Sequence, residues 1–248
     1  MTTNLWRCAM VGLLAAAGLF GARSEASVVI AGTRVVYPSQ DKEITIKLTN
    51  PGASPELVQV WMDSGDEKST PDSARVPFTL TPPIFRMEPH KGQAVRVMYS
   101  KEPLPTDKES LFWVNMLEVP PRADNPDGKN LMQFAFRTRI KFFFRPAGLA
   151  GDVATASDKL SWKLLEDGRG KGLLLQVSNP TPYYVNFSTV GLKVGARFYE
   201  HKSGGMVAPG ATSTFKIPDL MSRPAGDVRA KFDVINDYGA IGPHEVPV

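Results

Sequence analysis

LMQFAFRTRIKFFF, residues 131–144, is the longest strand-like segment of the sequence and decides the fold class. Polar and charged side chains recur at its odd positions. Apolar side chains occupy the even positions except Thr138, namely Met132, Phe134, Phe136, Ile140, Phe142 and Phe144. This period of two predicts one continuous β-strand, because successive side chains of a strand point to opposite faces of the sheet. The following Arg145-Pro146-Ala147-Gly148 ends the strand, since proline has no amide donor for the sheet.

Shorter segments on both sides of this strand alternate in the same way and are separated by proline, glycine and asparagine. The predicted strands are residues 43–48, 57–62, 94–98 and 112–117 before it, and 160–165, 173–178, 183–192, 212–217 and 229–236 after it. Short strands at regular spacing indicate an all-β protein with few, short helices. We expect two immunoglobulin-like β-sandwich domains, residues 27–146 and 149–248, since one such sandwich takes about 100 residues.

The first residues have the pattern of a secretory signal peptide. Arg7 precedes an uncharged apolar run at 9–20, and small residues at 21–26 (GARSEA) offer a cleavage site after Ala26. A membrane-spanning helix needs about 20 apolar residues, so we expect no direct membrane insertion after cleavage of residues 1–26. The single cysteine, Cys8, would leave with the signal. A secreted protein without disulfides fits the bacterial periplasm better than the extracellular medium.

Composition and motifs exclude several classes of function. The formal net charge is only +4 and both signs are spread along the chain, so we expect no nucleic-acid partner. No nucleophile elbow, phosphate-binding loop or HExxH zinc motif occurs. The three histidines, His90, His201 and His244, lack the spacing of metal ligands. We therefore expect no enzyme, no metal and no cofactor.

Five short strings, taken together, identify a family. They are TRVVYP at 33–38, ESLFWVN at 109–115 followed by VPPR at 119–122, TRIKFFFRP at 138–146, NPTPYYV at 179–185 and NDYG at 236–239. In this order and spacing they resemble PapD-like periplasmic chaperones of the chaperone–usher pathway over residues 27–248. The resemblance implies two immunoglobulin-like domains set at an angle, with a cleft between them. It also implies a protein that binds, folds and caps pilus (fimbrial) subunits and delivers them to an outer-membrane usher.

The resemblance assigns the long strand a second role. A pilus subunit of this pathway is a sandwich that lacks its last strand, and the chaperone lends its own strand to the open groove, a mode called donor-strand complementation. Met132, Phe134 and Phe136 match the donor positions. The alternative is that these side chains fill the protein's own core, which is the interpretation we favour for Phe142 and Phe144. Periodicity alone does not separate the two.

The resemblance also implies a site for the C-terminal carboxylate of the subunit, formed by Arg34 and Lys141. Two cations in a partly desolvated cleft bind one carboxylate through charge-assisted hydrogen bonds. Without the resemblance, each residue would be interpreted as an ordinary strand charge. Strict alternation places Lys141 on the opposite face from Phe134. If both contact the subunit, we expect a bulge, a twist or a change of sheet between them.

A third set of residues, Glu109, Arg145 and Asp237, matches the charged network that holds the two domains of the family at a fixed angle. The polar loop at 123–129 (ADNPDGK) is short, and no cysteine accompanies it, which resembles the short-loop branch of the family. The free chaperone has an apolar donor strand to hide, so self-association is a further expectation. A tandem immunoglobulin-like adhesin or structural surface protein is the alternative with the same fold and secretion signal.

Overall fold

The structure, a computed structural model, describes residues 28–122, 132–168 and 172–248 of the 248-residue chain. The predicted signal peptide and the loop at 123–129 lie outside the described residues. The described part contains seventeen strands and a 3-10 helix at Val153–Lys159. Strands of the first half are β1 (Val29–Ile30), β2 (Arg34–Pro38), β3 (Glu43–Thr49), β4 (Glu56–Asp63), β5 (Phe78–Thr81), β6 (Ile84–Met87), β7 (Gly92–Tyr99), β8 (Ser110–Val119) and β9 (Phe136–Arg145). Those of the second half are β10 (Ser161–Glu166), β11 (Leu173–Ser178), β12 (Val185–Val194), β13 (Arg197–Glu200), β14 (Gly205–Val207), β15 (Thr212–Ile217), β16 (Val228–Ile235) and β17 (Ile241–Pro247).

The first half forms a sandwich of two sheets. One sheet has the order β1-β3-β7-β5 and the other the order β2-β9-β8-β4-β6. The inward side chains alternate along each strand, as Ile46 and Leu48 do on β3, and they form one buried cluster with Tyr37, Phe142 and Phe144. Strand β9 lies between β2 and β8, which places its second half in the middle of a sheet.

The second half forms its own sandwich and its own core. Its sheets have the orders β10-β11-β15 and β13-β12-β16-β17, with β14 also paired to β12. Trp162, Phe187, Phe215 and Phe232 belong to a second buried cluster that shares no residue with the first. Because each half has a separate core, each has the hydrophobic basis of an independent domain.

The predicted strand at 131–144 is wrong at residues 132–135. Within the described residues, β9 begins at Phe136, and residues 132–135 are not in a strand. The cause lies on the neighbouring strand, where β8 ends at Val119 and is followed by Pro120 and Pro121. Prolines lack the amide hydrogen that would continue the ladder with β9. The side chain of Gln133 donates instead to the carbonyl oxygens of both prolines, at 2.7 and 3.1 Å.

The other predicted strands are present, and those at 173–178 and 212–217 have the predicted bounds. Sequence analysis missed several strands that lie at the ends of the sheet orders, namely β5, β6, β13 and β17. Edge strands tolerate residues that interior strands do not, and β17 contains Gly242 and Pro243. The strands β6, β13 and β17 therefore lack the alternation that identifies a half-buried strand, whereas β5 (FTLT) alternates but is only four residues long.

Candidate functional site

The even-numbered side chains of residues 132–144 divide into two groups of opposite exposure. Phe142 and Phe144 are 0% and 4% exposed and belong to the core of the first domain, as predicted. Met132, Phe134 and Phe136 are 81%, 58% and 61% exposed. We call residues 132–136 the donor segment. Large apolar side chains that lie close together along the chain and remain in solvent indicate a surface that binds another apolar surface.

The backbone edge beside the donor segment is also open. Strand β8 pairs with β9 from Phe136 to Phe144, whereas β2 covers the other edge only from Lys141 to Arg145. Among the strands of the described residues, none pairs with that second edge at residues 136–140. We call this stretch the free edge. Unpaired N–H and C=O groups of this kind are a template for a strand from another chain.

Arg34 and Lys141 lie side by side where the free edge ends. They are partners in the parallel register of β2 and β9, so their side chains leave the sheet on the same face. Burial and the charge of Arg34 lower the pKa of Lys141 to about 8. Burial likewise lowers the pKa of Arg34, and its Nε is buried without a hydrogen-bond partner among the described residues. An anion between the two, which we call the cation pair, would relieve both penalties.

Both members of the cation pair reach across to the second domain. Arg34 Nη1 donates to the backbone carbonyl of Ile235 at 3.0 Å, and Lys141 Nζ donates to Asn186 Oδ1 at 2.5 Å. Asn186 faces the first domain because its neighbours on β12, Val185 and Phe187, point into the core of the second. Sequence analysis missed Asn186. Its one signal was a polar residue between two apolar residues of a predicted strand.

Glu109, Arg145 and Asp237 form a contiguous ion-pair network across the same junction. Arg145 lies between the carboxylates, with its Nε 2.6 Å from Glu109 Oε1 and its Nη1 2.6 Å from Asp237 Oδ2. Burial disfavours the charge of Arg145, but the two carboxylates outweigh it and raise its pKa. Burial also raises the pKa of Glu109, although Arg145 opposes this. The other oxygen of Glu109 accepts the backbone N–H of Tyr184 at 2.7 Å, which joins the two domains directly.

A cavity of about 330 Å³ lies at this junction. Its lining includes both Arg34 and Asn186, together with the Glu109–Arg145–Asp237 network and Tyr184. With Lys141 held by Asn186, three cations and two carboxylates meet at the junction. Arg145 with its two carboxylates carries a net charge of −1 and the cation pair carries +2, so the junction keeps a net charge of +1. The arrangement has the charge and the free donors to bind one carboxylate.

The expected bulge between Phe134 and Lys141 does not occur in the paired part of β9. Its register with β8 runs from Phe136 to Phe144 without a shift. The chain instead leaves the sheet before Phe136, so residues 132–135 do not continue the alternation of β9. The described residues contain no cluster of histidine, cysteine and acidic side chains able to hold a metal ion. None of their helices has the length and apolar character needed to cross a bilayer.

Comparison with protein families identifies this two-domain architecture as that of a pilus-assembly chaperone. Residues 27–150 match the family model described as pili and flagellar-assembly chaperone, PapD N-terminal domain, and residues 155–246 match pili assembly chaperone PapD, C-terminal domain. The chain belongs to the PapD-like chaperone family. The predicted fold class and family are therefore confirmed, and the family is one of chaperones rather than enzymes.

Relatives and solved structures agree with this assignment. The chain is 43% identical over 223 residues to the probable fimbrial chaperone YadV of Escherichia coli (strain K12), covering 89% of each chain. It is 38% identical over 229 residues to the chaperone protein FimB/FhaD of Bordetella pertussis, covering 91% of this chain and 89% of the relative. The crystal structure of the YadV chaperone superposes with a TM-score of 0.76 at 39% identity, over 90% of this chain and 100% of that chain. A chain from the complex of the Salmonella enterica SafA pilin with the SafB chaperone gives a TM-score of 0.73 at 30% identity, over 92% and 99%.

Proposed function

We propose that this protein is a periplasmic chaperone that binds, folds and caps pilus subunits by donor-strand complementation. The observation that carries the proposal is the conjunction of the donor segment, the free edge and the cation pair along residues 132–141, with Arg34 contributed by β2. A similar solved structure contains a pilin bound to its chaperone, which supports a pilus subunit as the partner. The predicted signal at residues 1–26 supports the periplasm as the compartment.

In this proposal the last strand of the subunit adds to the free edge and continues the line of β2. Its C-terminus then reaches Arg34 and Lys141, which means that it runs parallel to β9, as β2 does. Met132, Phe134 and Phe136 enter the open groove of the subunit. Burying each of these side chains contributes roughly 1.5–3 kcal/mol before the cost of ordering the segment is subtracted. The carboxylate anchor fixes the register, because a slip of one residue would turn the donor side chains away from the groove.

The remaining parts of the molecule support this role. We propose that the Glu109–Arg145–Asp237 network holds the domains, at 27–146 and 149–248, in the orientation that presents the cation pair. The capped subunit is then passed to an outer-membrane usher. Before capture, a second copy of the chain covers the exposed donor segment. The alternative of an adhesin gives no reason for a cation pair at the end of a free edge.

Purification from the periplasm of the source bacterium tests the proposal directly. Tagged wild-type protein should carry pilus subunits, which mass spectrometry identifies. Arg34→Ala and Lys141→Ala should remain folded by circular dichroism but lose the subunits. Removing one partner of a buried, hydrogen-bonded charge pair costs about 2–5 kcal/mol, so the loss should be at least about thirtyfold. Lys47→Ala, which removes an exposed lysine on β3, is the matched control. Undiminished subunit recovery with both cleft variants would refute the carboxylate site.

A further inference from the structure

Lys141 is held by a residue of the other domain. Its Nζ donates to Asn186 Oδ1 at 2.5 Å, and Asn186 is 3% exposed. The Lys141 side chain is also 5.8 Å from the centre of the Trp113 ring, measured at Nζ. A lysine side chain is long and rotatable, and a single short contact at its tip selects one conformation. The position of the ammonium therefore depends on the second domain.

Asn186 is itself firmly placed. Its neighbours Val185 and Phe187 are each 3% exposed and belong to the core of the second domain. Its backbone is paired with Met206 of β14, and Phe187 is paired with Val234 of β16. A side chain that projects from a strand paired on both sides has little freedom to move with Lys141. The amide of Asn186 acts as a fixed acceptor.

We propose that Asn186 is a positioning residue, which orients the Lys141 ammonium for the carboxylate of the subunit without itself contacting that carboxylate. This inference rests on the proposed carboxylate site and deepens it. A neutral amide is suited to the task. Its oxygen accepts one of the three ammonium hydrogens and leaves two for a ligand, without the competing charge that a carboxylate would introduce.

The electrostatic surroundings of Lys141 make this role measurable. The cations nearby are Arg34, opposite it on β2, and Arg139 on its own strand, which lies over the same Trp113 ring. Strand β8 contributes the neutral Trp113, and β12 contributes the neutral Asn186. A hydrogen bond to the charged form favours that form, so Asn186 opposes the burial and the repulsion that lower the Lys141 pKa.

The experiment is a titration of the mature chain followed by NMR of the lysine side-chain carbons. Asn186→Ala should lower the Lys141 pKa below the wild-type value of about 8. Asn186→Asp should raise it, because a carboxylate then faces the ammonium. Asn179→Ala is the matched control, since Asn179 is equally buried in the same domain and bonds the Tyr183 carbonyl at 2.7 Å. It should leave the Lys141 pKa unchanged even if it destabilises the domain.

Binding is measured with N-acetylglycine as a minimal chain terminus, and N-acetylglycinamide is the uncharged control. Wild-type protein should bind the acid and not the amide. Asn186→Ala should weaken binding of the acid at pH 6.5 about twofold to tenfold, the cost of ordering one long side chain on binding. Asn186→Asp should weaken it more, because its carboxylate competes for the cation pair.

The outcomes separate the inference from the proposed function. If wild-type protein binds the acid through Arg34 and Lys141 but Asn186→Ala changes neither the Lys141 pKa nor the affinity, Asn186 is not a positioning residue, and the carboxylate site stands. If wild-type protein does not distinguish acid from amide, the carboxylate site itself fails. Should Asn186→Ala not fold, the wild-type protein supplies the test. The side-chain amide resonance of Asn186 should titrate with Lys141 and shift with N-acetylglycine, and an invariant resonance would overturn the inference.

Discussion

The two halves of the alternating apolar series at 132–144, before and after Thr138, have the same chemistry and opposite surroundings. Phe142 is fully buried, whereas Phe136, three alternations earlier on the same face, is 61% exposed. The buried half lies between β2 and β8, and it packs with Tyr37 and Phe78 at ring-centroid distances of 6.0 and 4.9 Å. The exposed half has β8 on one side only. Ile140 is buried in the core although only β8 pairs beside it, so what differs is the packing over the face, which ends before Phe136. In the proposed function, the groove of the subunit covers the exposed half.

The largest expected effect is on stability, and it falls on only one of the two halves. Phe142→Ala should lower the free energy of unfolding by about 3–5 kcal/mol, because it leaves a cavity in a close-packed core. Phe136→Ala deletes a phenyl ring that is already in solvent, so it should change the free energy of unfolding by less than about 0.5 kcal/mol. Urea denaturation of both variants measures the difference. Comparable losses would mean that the donor segment is part of the core.

Subunit binding should show the reverse dependence. Phe134→Asp should leave the thermal melt unchanged but reduce subunit capture by at least about a hundredfold, because a charge enters an apolar groove without a partner. Met221→Asp is the matched control, since Met221 is also an exposed apolar residue (73%) but lies on the second domain, away from the donor segment. Coelution with a subunit on size exclusion measures capture. If Phe134→Asp unfolds the free protein, the donor assignment fails at that position.

The cation pair predicts a pH dependence that an exposed lysine would not give. The Lys141 pKa of about 8 means that the ammonium of the free protein loses its proton above that pH. Affinity for a carboxylate should be constant below about pH 7 and fall by up to about tenfold per unit above pH 8, whereas an ordinary lysine stays charged to about pH 10. Isothermal titration with N-acetylglycine between pH 6 and 9.5 provides the profile. A flat profile to pH 9.5 would contradict the burial of Lys141.

The same shift makes Lys141 costly to the free protein. Between the folded pKa of about 8 and the ordinary lysine value, the unfolded chain binds more protons, so this residue's contribution to stability rises with pH. Lys141→Met removes this dependence, although it also leaves the buried Asn186 amide without its partner and so gains little at pH 7. It should also remove carboxylate binding. Urea melts at pH 7 and pH 10 test the sign: the free energy of unfolding of the wild type should rise relative to the variant between these pH values, and a difference that falls or stays constant would refute it.

Alternation along the chain predicted much of the fold, because it reports directly which face of a strand is buried. It identified the interior strands, as at 173–178, and assigned Phe142 and Phe144 to the core. Alternation failed where a neighbouring strand decides at which residue a strand begins. The start of β9 depends on Pro120 and Pro121 of the preceding strand, which no periodicity at 131–144 reveals. The edge strand β17 was missed because Gly242 and Pro243 interrupt its pattern, whereas the edge strand β15 alternates and was identified.

The candidate site was predictable only in part. Arg34, Lys141, Glu109, Arg145 and Asp237 came from the resemblance, and the structure brings all five to one junction. Their roles toward a subunit stay a prediction. Asn186 was missed because its contact with Lys141 joins residues 45 positions apart in different domains. A single polar residue in a strand does not reveal which surface it faces, and only the packing of the two sandwiches does.

Amide hydrogen exchange along β9, with and without a bound subunit, tests the central claim most directly. In the free protein, diluted until it is a monomer, the amides that point to the free edge at 136–140 should exchange fast, while those at 142–144 are protected between β2 and β8. Binding of a subunit should protect residues 136–140 by at least about a hundredfold, since an added strand bonds their unpaired groups. If a subunit remains bound while exchange at 136–140 is unchanged, the chaperone holds it through another surface, and the account of β9 as a lent strand is wrong.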